Sequence, residues 1–329
     1  MTEPLPVSVA LCTHNGARFV AAQIASILQQ SRPVDEIVLS DDASSDDTVG
    51  IVERAVDEHR VEHGVSPELI VFRNDPPLRV TKNFEQALLA TTGDLVALCD
   101  QDDVWHPQRI ELLSQKFEDP SVDFVFGNAI QVDAMGQSLG HDLFEALGLS
   151  VQERKLVESG QAYRQFMRRN LATGATAMLR RSLVDAAAPF PGEWLHDEWL
   201  AVIAAARGGV RIYDEPLTDY RQHESNQVGM ERLGLRRKFA MFAQPRTERN
   251  LRLYQRAQAL AERIDGITGI PDHYRIAARE KFSFEAARQA YPEARVLRVV
   301  PILRQLLRGR YRSFGTGMKD AVRNLLQPV

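Results

Sequence analysis

Leu95-Val96-Ala97-Leu98-Cys99-Asp100-Gln101-Asp102-Asp103-Val104-Trp105 decides how the rest of this chain is read. Leu95 to Cys99 is an unbroken apolar run of strand length, with Gly93 just before it. Asp100, Asp102 and Asp103 then crowd into four positions, where such a strand would leave a core. Like charges this close repel and need compensation. A divalent cation supplies it, since hard oxygen ligands suit Mg²⁺ and Mn²⁺. Mg²⁺ needs only one or two carboxylates beside substrate phosphates, so the stretch points to a metal–nucleotide site at a strand end. On its own it reads equally well as a solvated acidic turn, with Asp103 capping a helix that starts near Pro107.

Upstream, strand and helix alternate. Val7 to Cys12 is a buried strand followed by the polar turn Thr13-His14-Asn15-Gly16. Val20, Ile24, Ile27 and Leu28 recur at helical spacing. Glu36 to Ser40 is a second strand that runs into Asp41-Asp42, and a helix from about Thr48 to His59 follows. Leu69 to Phe72 is a third strand, and Val80 to Thr91 is a helix. This alternation predicts βαβ units and a mostly parallel sheet. Its strand ends bring Thr13, Asn15, Asp41 and the Asp100–Asp103 cluster to one crevice. Neither a Gly-x-Gly-x-x-Gly fingerprint nor a P-loop is present.

Downstream the pattern is less regular. Val122 to Gly127 reads as a strand that Ala129 to Val132 either extends or follows. Residues 138–160 hold several glycines and read as a mobile loop on the acceptor side. Ala162 to Arg169 reads as helix and Gly174 to Leu179 as strand. A helix opens at Trp194-Leu195-His196-Asp197-Glu198-Trp199, with Asp197 in its first turn. Val210 to Tyr213 and Pro216 to Arg221 read as edge strands. From about Leu233 the chain is helical and basic.

At 329 residues, with 44% hydrophobic and 26% charged residues, the composition is that of an ordinary globular protein. Cys12 and Cys99 both lie in apolar runs, which fits a reducing cytoplasm rather than a disulfide framework. Met1 to Pro6 lacks a basic leader, and no apolar run is long enough to span a bilayer. The net charge of −4 hides an asymmetry, because residues 230–329 hold 21 Lys and Arg against 9 Asp and Glu. A basic tail of this kind meets something anionic. Nucleic acid is a poor candidate, because the acidic crevice repels a phosphate backbone. The tail fits two descriptions equally: a peripheral contact with an anionic membrane, or a helical cap packed on the main domain.

Taken in order, five segments resemble family 2 glycosyltransferases of the GT-A fold, and within them the bacterial rhamnosyltransferase-like branch. They are Val9–Gly16, Val38–Ser44, Leu98–Trp105, His196–Leu200 and Tyr220–His223. The likeness covers residues 5–230. It implies an α/β GT-A domain over 1–230 and a helical basic region over 231–329.

The resemblance also implies roles. Asp41 accepts from the N3–H of uracil or thymine, and Thr13 and Asn15 hold the nucleoside. Asp100 and Asp102 form the DxD motif, with Asp102 as metal ligand and Asp100 facing ribose or a metal-bound water. Arg221 is expected at the diphosphate and His223 as a metal ligand, the cofactor being Mn²⁺ or Mg²⁺. Asp197 is expected as the general base, in a His-Asp pair where the commoner pattern is Glu-Asp. Glu198 should face elsewhere on the helix, while Trp194 and Trp199 are candidate walls of the acceptor site. Arg79 and Lys82 either reach the phosphates or lie on a solvated helix face.

The reaction implied is inverting transfer of a hexose, L-rhamnose from dTDP-rhamnose in the first instance and a UDP-hexose in the second. The acceptor is a cell-surface or lipid-linked glycan. A nucleotidyltransferase would carry a Gly-rich basic loop after the first strand, which Thr13–Arg18 does not match. A non-catalytic sugar- or nucleotide-binding module is the remaining rival.

Overall fold

The computed structural model describes residues 4–223 and 245–328. Its centre is a nine-stranded sheet. The first four strands are β1 (Val7–Thr13), β2 (Glu36–Asp41), β3 (Glu68–Arg73) and β4 (Leu95–Asp100), all mutually parallel in the order β3-β2-β1-β4. The sheet continues through β8 (Ala177–Arg180), β6 (Phe124–Val132), β9 (Val210–Arg221) and β5 (Val104–Trp105), with β7 (Ser138–Asp142) paired to β6. β8 runs antiparallel to both β4 and β6, which restores the common direction in β6 and β9.

Side chains alternate across the strands, and both faces are covered. Val9, Leu11, Ile37, Leu39 and Ala97 belong to one apolar layer. Ala10, Cys12, Val38, Val96 and Leu98 belong to the other. This explains why the strands read as unbroken apolar runs. Helices α1 (Val20–Leu28), α2 (Thr48–His63) and α4 (Arg109–Gln115) contribute to the first layer. Helices α3 (Val80–Ala90), α7 (Ala162–Phe166), α8 (Arg181–Ala187) and α9 (His196–Arg207) contribute to the second.

Register fixes where the strands stop. Thr13 lies opposite Asp41, and Cys12 lies opposite Asp100. The polar ends of three neighbouring strands therefore leave the sheet side by side.

Four features differ from the sequence reading. Residues 138–160 form β7, α5 (Leu143–Leu147) and α6 (Val151–Glu158) rather than a loop. Ser150 and Glu153 make a reciprocal capping box at the start of α6. Gly148 ends α5 in the left-handed region at φ 61°, so it terminates a helix rather than loosening a loop. The segments 210–213 and 216–221 are one strand with a register shift, and it lies between β6 and β5 rather than at an edge. Asp103 caps no helix, since Gln108 precedes α4. Trp199 is fully buried, and its indole N–H donates to the Ala187 carbonyl, which makes it core rather than an acceptor wall.

The C-terminal region is helical: α10 (Arg246–Arg263), α11 (Asp272–Gln289), α12 (Val299–Leu307), α13 (Arg310–Phe314) and α14 (Met318–Leu326). The expected boundary near residue 230 lies outside the described residues. Leu260, Ile264, Phe284, Ile302 and Tyr311 join the apolar layer of α9, so these helices share a core with the sheet. Among the described residues no helix is long and apolar enough to cross a membrane.

A buried charge cluster ties the region together. Arg288 donates to Glu285 at 2.7 Å and Arg249 to Asp320 at 2.6 Å. Burial alone would raise the Asp320 carboxyl, but Arg288, Arg249 and the Thr316 N–H hold it at about 2. Its folded value lies below the ordinary carboxylate value of about 3.9. Its contribution to stability is therefore full above about pH 4 and fades as pH falls toward 2. Asp320→Asn should cost about 3–5 kcal/mol in urea unfolding at neutral pH, because it takes the buried carboxylate away from Arg249. The cost should shrink at about pH 3. An equal cost at both pH values would contradict this account.

Candidate active site

The site grows from the ends of β1, β2 and β4. Asp41, at the end of β2, is almost wholly buried and faces three donors. Thr13 Oγ1 donates to its Oδ1 at 2.7 Å, Ser44 Oγ to the same oxygen at 2.5 Å, and the Ser44 N–H to Oδ2 at 2.9 Å. A carboxylate offers about four acceptor positions, so a further donor can still be accepted at Oδ2. Beside Asp41 opens a depression of about 650 Å³, lined by Ala43, Ser44, Arg73 and Asn74 among others.

The loops after β1 and β2 hold each other. Asn15 Oδ1 accepts from the Ser45 N–H at 2.8 Å, and the Asn15 N–H donates to Ser44 Oγ at 2.8 Å. Asp42 accepts from the N–H groups of Leu78 and Arg79, fixing the entry to α3. Asn15, Ala43 and Arg79 have φ values of 48°, 62° and 67°, the three non-glycine residues in the left-handed region among those described. Such conformations persist only where neighbours over-determine them, and all three lie in these interlocked loops.

Gln101 joins this assembly to β4. Its Oε1 accepts from the His14 N–H at 2.8 Å and its Nε2 donates to the His14 carbonyl at 3.0 Å. The contact requires Gly16, where an added Cβ would lie 2.2 Å from Gln101 Oε1.

The three aspartates after β4 are handled separately. Burial, then the charges of Asp102 and Asp197, raise the Asp100 carboxyl to about 7. Burial, then Asp102 and Asp100, raise Asp103 well above the usual range. Asp103 Oδ1 accepts from the Arg221 N–H at 2.9 Å, while its buried Oδ2 meets no donor. Asp102 Oδ2 lies 2.6 Å from His223 Nε2. The His223 ring stacks on Phe19 with centroids 4.8 Å apart.

Arg221 turns its guanidinium onto backbone. Nε donates to the Asp102 carbonyl at 2.7 Å, and Nη1 reaches the carbonyls of Asp133 and Ala134. These contacts grip the Asp102–Asp103 loop. Arg109 is buried beneath the cluster with its guanidinium 4.0 Å from the Trp105 ring centroid. Burial lowers Arg109 to about 10, while the nearby negative charges of Asp103 and Asp100 act the other way.

These donors fit a hard divalent cation. Asp102 and His223 offer an oxygen and an imidazole nitrogen already in contact, and the buried Asp103 Oδ2 nearby meets no donor. Among the described residues no three His, Cys, Asp or Glu side chains form a closed cage. A cation that completes its shell with substrate phosphates needs no such cage.

Asp197 approaches the cluster from α9. Its Oδ2 accepts from the Gly174 N–H at 2.9 Å and its Oδ1 from the Glu198 N–H at 2.7 Å. Gly174 belongs to a short 3-10 turn, Gly174–Thr176, which leads directly into β8 beside β4. Burial raises the Asp197 carboxyl, against the two N–H donors and Arg256. Its charge is one of those that raise Asp100, after burial and Asp102. His196 is buried, stacked 3.6 Å from Phe84, and lowered by burial to about 3, which keeps it neutral. Glu198 faces away and pairs with Arg256 at 2.5 Å. Arg256 also lies 4.0 Å over Trp194, whose indole donates to the Arg256 carbonyl. Lys82 is turned away from the strand ends, onto Glu85 and the Phe190 carbonyl.

Sequence reasoning missed Gln101, Gly174 and Arg109. Arg109 did leave a signal, since a cation in the first turn of a helix opposes the dipole. Gln101 and Gly174 act through contacts distant in sequence and left none.

Comparison with known proteins adds three kinds of finding. A family model described as glycosyl transferase family 2 matches residues 8–186. The uncharacterized glycosyltransferase alr2836 of Nostoc sp. is 25% identical over 239 residues, covering 68% of this chain and 66% of that protein. The next relatives are spanned over only about a third of their length. The dTDP-rhamnosyl transferase RfbG of Shigella flexneri is 24% identical over 233 residues, covering 67% of this chain and 73% of that one. Among the solved structures similar in fold are S. aureus TarS and the mannosyltransferase PcManGT. S. aureus TarS in complex with UDP-GlcNAc has a TM-score of 0.53 at 18% identity, covering 98% of this chain and 90% of its own. The mannosyltransferase PcManGT of Pyrobaculum calidifontis, in complex with GDP-Man and Mn²⁺, has a TM-score of 0.50 at 19% identity, covering 93% and 76%. The curled, mostly parallel sheet is that of GT-A glycosyltransferases. Because the matched family model takes in more than half of its 329 residues, this chain belongs to glycosyl transferase family 2.

Proposed function

We propose that this chain transfers a sugar, with inversion, from a nucleoside-diphosphate donor to a hydroxyl of a cell-surface or lipid-linked glycan. The observation that carries the reading is the position of Asp197, held by the Gly174 N–H of the turn that leads into β8, next to the strand β4 that ends in Asp100. In this reading Thr13, Asn15 and Asp41 hold the nucleoside, with Asp41 Oδ2 accepting the base N–H. Asp100 faces the ribose. Asp102 and His223 would hold Mn²⁺ or Mg²⁺, and the cation would supply Lewis-acid stabilisation of the diphosphate leaving group. Arg221 keeps the Asp102 carbonyl in place and lends positive charge to the diphosphate side. RfbG, a dTDP-rhamnosyl transferase, supports L-rhamnose from dTDP-rhamnose as the donor. TarS binds UDP-GlcNAc, which favours a UDP-sugar as the second candidate. The domain is taken as residues 1–230, with 231–329 as its helical extension. The reading implies the cytoplasmic side of a membrane.

Asp197 removes the proton of the acceptor hydroxyl. The hydroxyl oxygen bonds to the anomeric carbon as the bond from that carbon to the diphosphate oxygen breaks. One displacement from the far side inverts the centre. The Gly174 and Glu198 N–H groups occupy one lone pair on each Asp197 oxygen, so the carboxylate is aimed before the acceptor arrives.

Asp197→Asn should lower sugar transfer to a polyprenyl-diphosphate-linked saccharide acceptor, read as release of the nucleoside diphosphate, by about 10²–10⁴-fold, with donor affinity unchanged. Gly174→Ala should cost less, because its Cβ would lie 3.1 Å from His196 Nε2 and 3.2 Å from Asp197 Cβ and so press on the first turn that carries the base. The base works ionised and its pKa is raised, so activity should fall on acidification at a pH above the ordinary aspartate range. Full turnover by Asp197→Asn would sink the assignment.

A further inference from the structure

The C-terminal helices leave an apolar surface uncovered. In α12, Val300, Leu303 and Leu307 recur at helical spacing on one face, and Val296 and Leu297 precede them. All five are exposed, Val300 by 74% and Leu307 by 89%. The opposite face of the helix, with Ile302 and Gln305, is buried, so the exposed stripe is not the side that docks on the protein. In α14, Met318, Val322 and Leu326 form a second exposed stripe.

The charges along these stripes are nearly all basic. Residues 295–328 hold eight Lys and Arg and a single acid, Asp320, which is buried against Arg249. Arg295, Arg304, Arg308 and Arg312 are exposed. Glu293 is the exposed acid at the start of the stretch. A depression of about 350 Å³ beside α12 is lined by Arg304, Arg308 and Arg310, with Gln305, Tyr291 and Ser283. It offers guanidinium groups at the margin of the apolar stripe.

We propose that the α12 face is a docking surface for an anionic lipid bilayer, with Val300, Leu303 and Leu307 entering the acyl boundary and Arg304 and Arg308 meeting lipid phosphates. An amphipathic helix with basic flanks binds in the interface plane by these two terms together. Arginine stems lie along apolar surface while their heads reach the phosphates. A second copy of the chain fits less well, because a two-fold contact through this face would set arginines against arginines. The docking goes beyond sugar transfer and does not depend on it.

Flotation of the full-length chain with phosphatidylglycerol or phosphatidylcholine vesicles tests the surface without any nucleotide. The chain should float with phosphatidylglycerol vesicles, less so as salt is raised, and not with phosphatidylcholine. Arg304→Gln and Arg308→Gln should each weaken binding about fivefold, the equivalent of about 1 kcal/mol per basic residue. Leu307→Asp should abolish it with the melting temperature unchanged, since the side chain is exposed. No flotation, or equal binding to both lipids, would overturn the proposal. So would a dimer in light scattering that Leu307→Asp dissociates.

Discussion

Three carboxylates cannot share the end of one strand unless something holds them apart and offsets their charge. Here the solution is largely backbone. The Arg221 N–H takes one oxygen of Asp103, and the Arg221 side chain grips the carbonyls of Asp102, Asp133 and Ala134. Arg109 supplies a buried cation below. The late strand β9 is thus fastened to the loop after β4, and His223 follows Arg221 by two residues to reach Asp102. Without β9 in this position the loop would lose its Arg221 contacts and be left with those of Gln101 to His14.

Asp197, the proposed base, depends on a second long-range arrangement. Asp197 starts α9, but its direction is set by Gly174, from the 3-10 turn that leads into β8. Its neighbour Glu198 is drawn the other way by Arg256 of α10. Successive residues on the helix therefore serve two ends: one carboxylate faces the strand ends and the next anchors the C-terminal helices. This gives those helices a structural bearing on the site, through Arg256 and Trp194, without their supplying a group to it.

Much of the fold was legible because buried parallel strands leave an unbroken apolar signature. β1, β2 and β4 could be read almost to the residue, and register then aligned Thr13, Asp41 and Asp100. Asp197 stood out only through the family resemblance, because a first-turn aspartate by itself reads as a carboxylate that offsets the helix dipole. What escaped was set by partners distant in sequence. Glycines in 138–160 looked like loop markers but end helices and turns in the left-handed region. A bulge made one strand of β9 look like two. Trp199 looked like a sugar platform because its burial follows from packing on α8, which no local pattern shows. The grip of Arg221 on backbone carbonyls is likewise a tertiary fact, as a sequence motif names a residue and not the way its side chain turns.

Metal-dependent nucleotide binding tests the central claim most directly. Thermal stability would be followed with dTDP, UDP, GDP and CDP, each with and without Mn²⁺ or Mg²⁺. At about a hundredfold excess over its dissociation constant, a bound nucleotide adds about 2.7 kcal/mol. The account predicts that dTDP or UDP stabilises the protein only with the metal, and that Asp102→Ala removes the effect. Stabilisation by no nucleotide under either metal would contradict it.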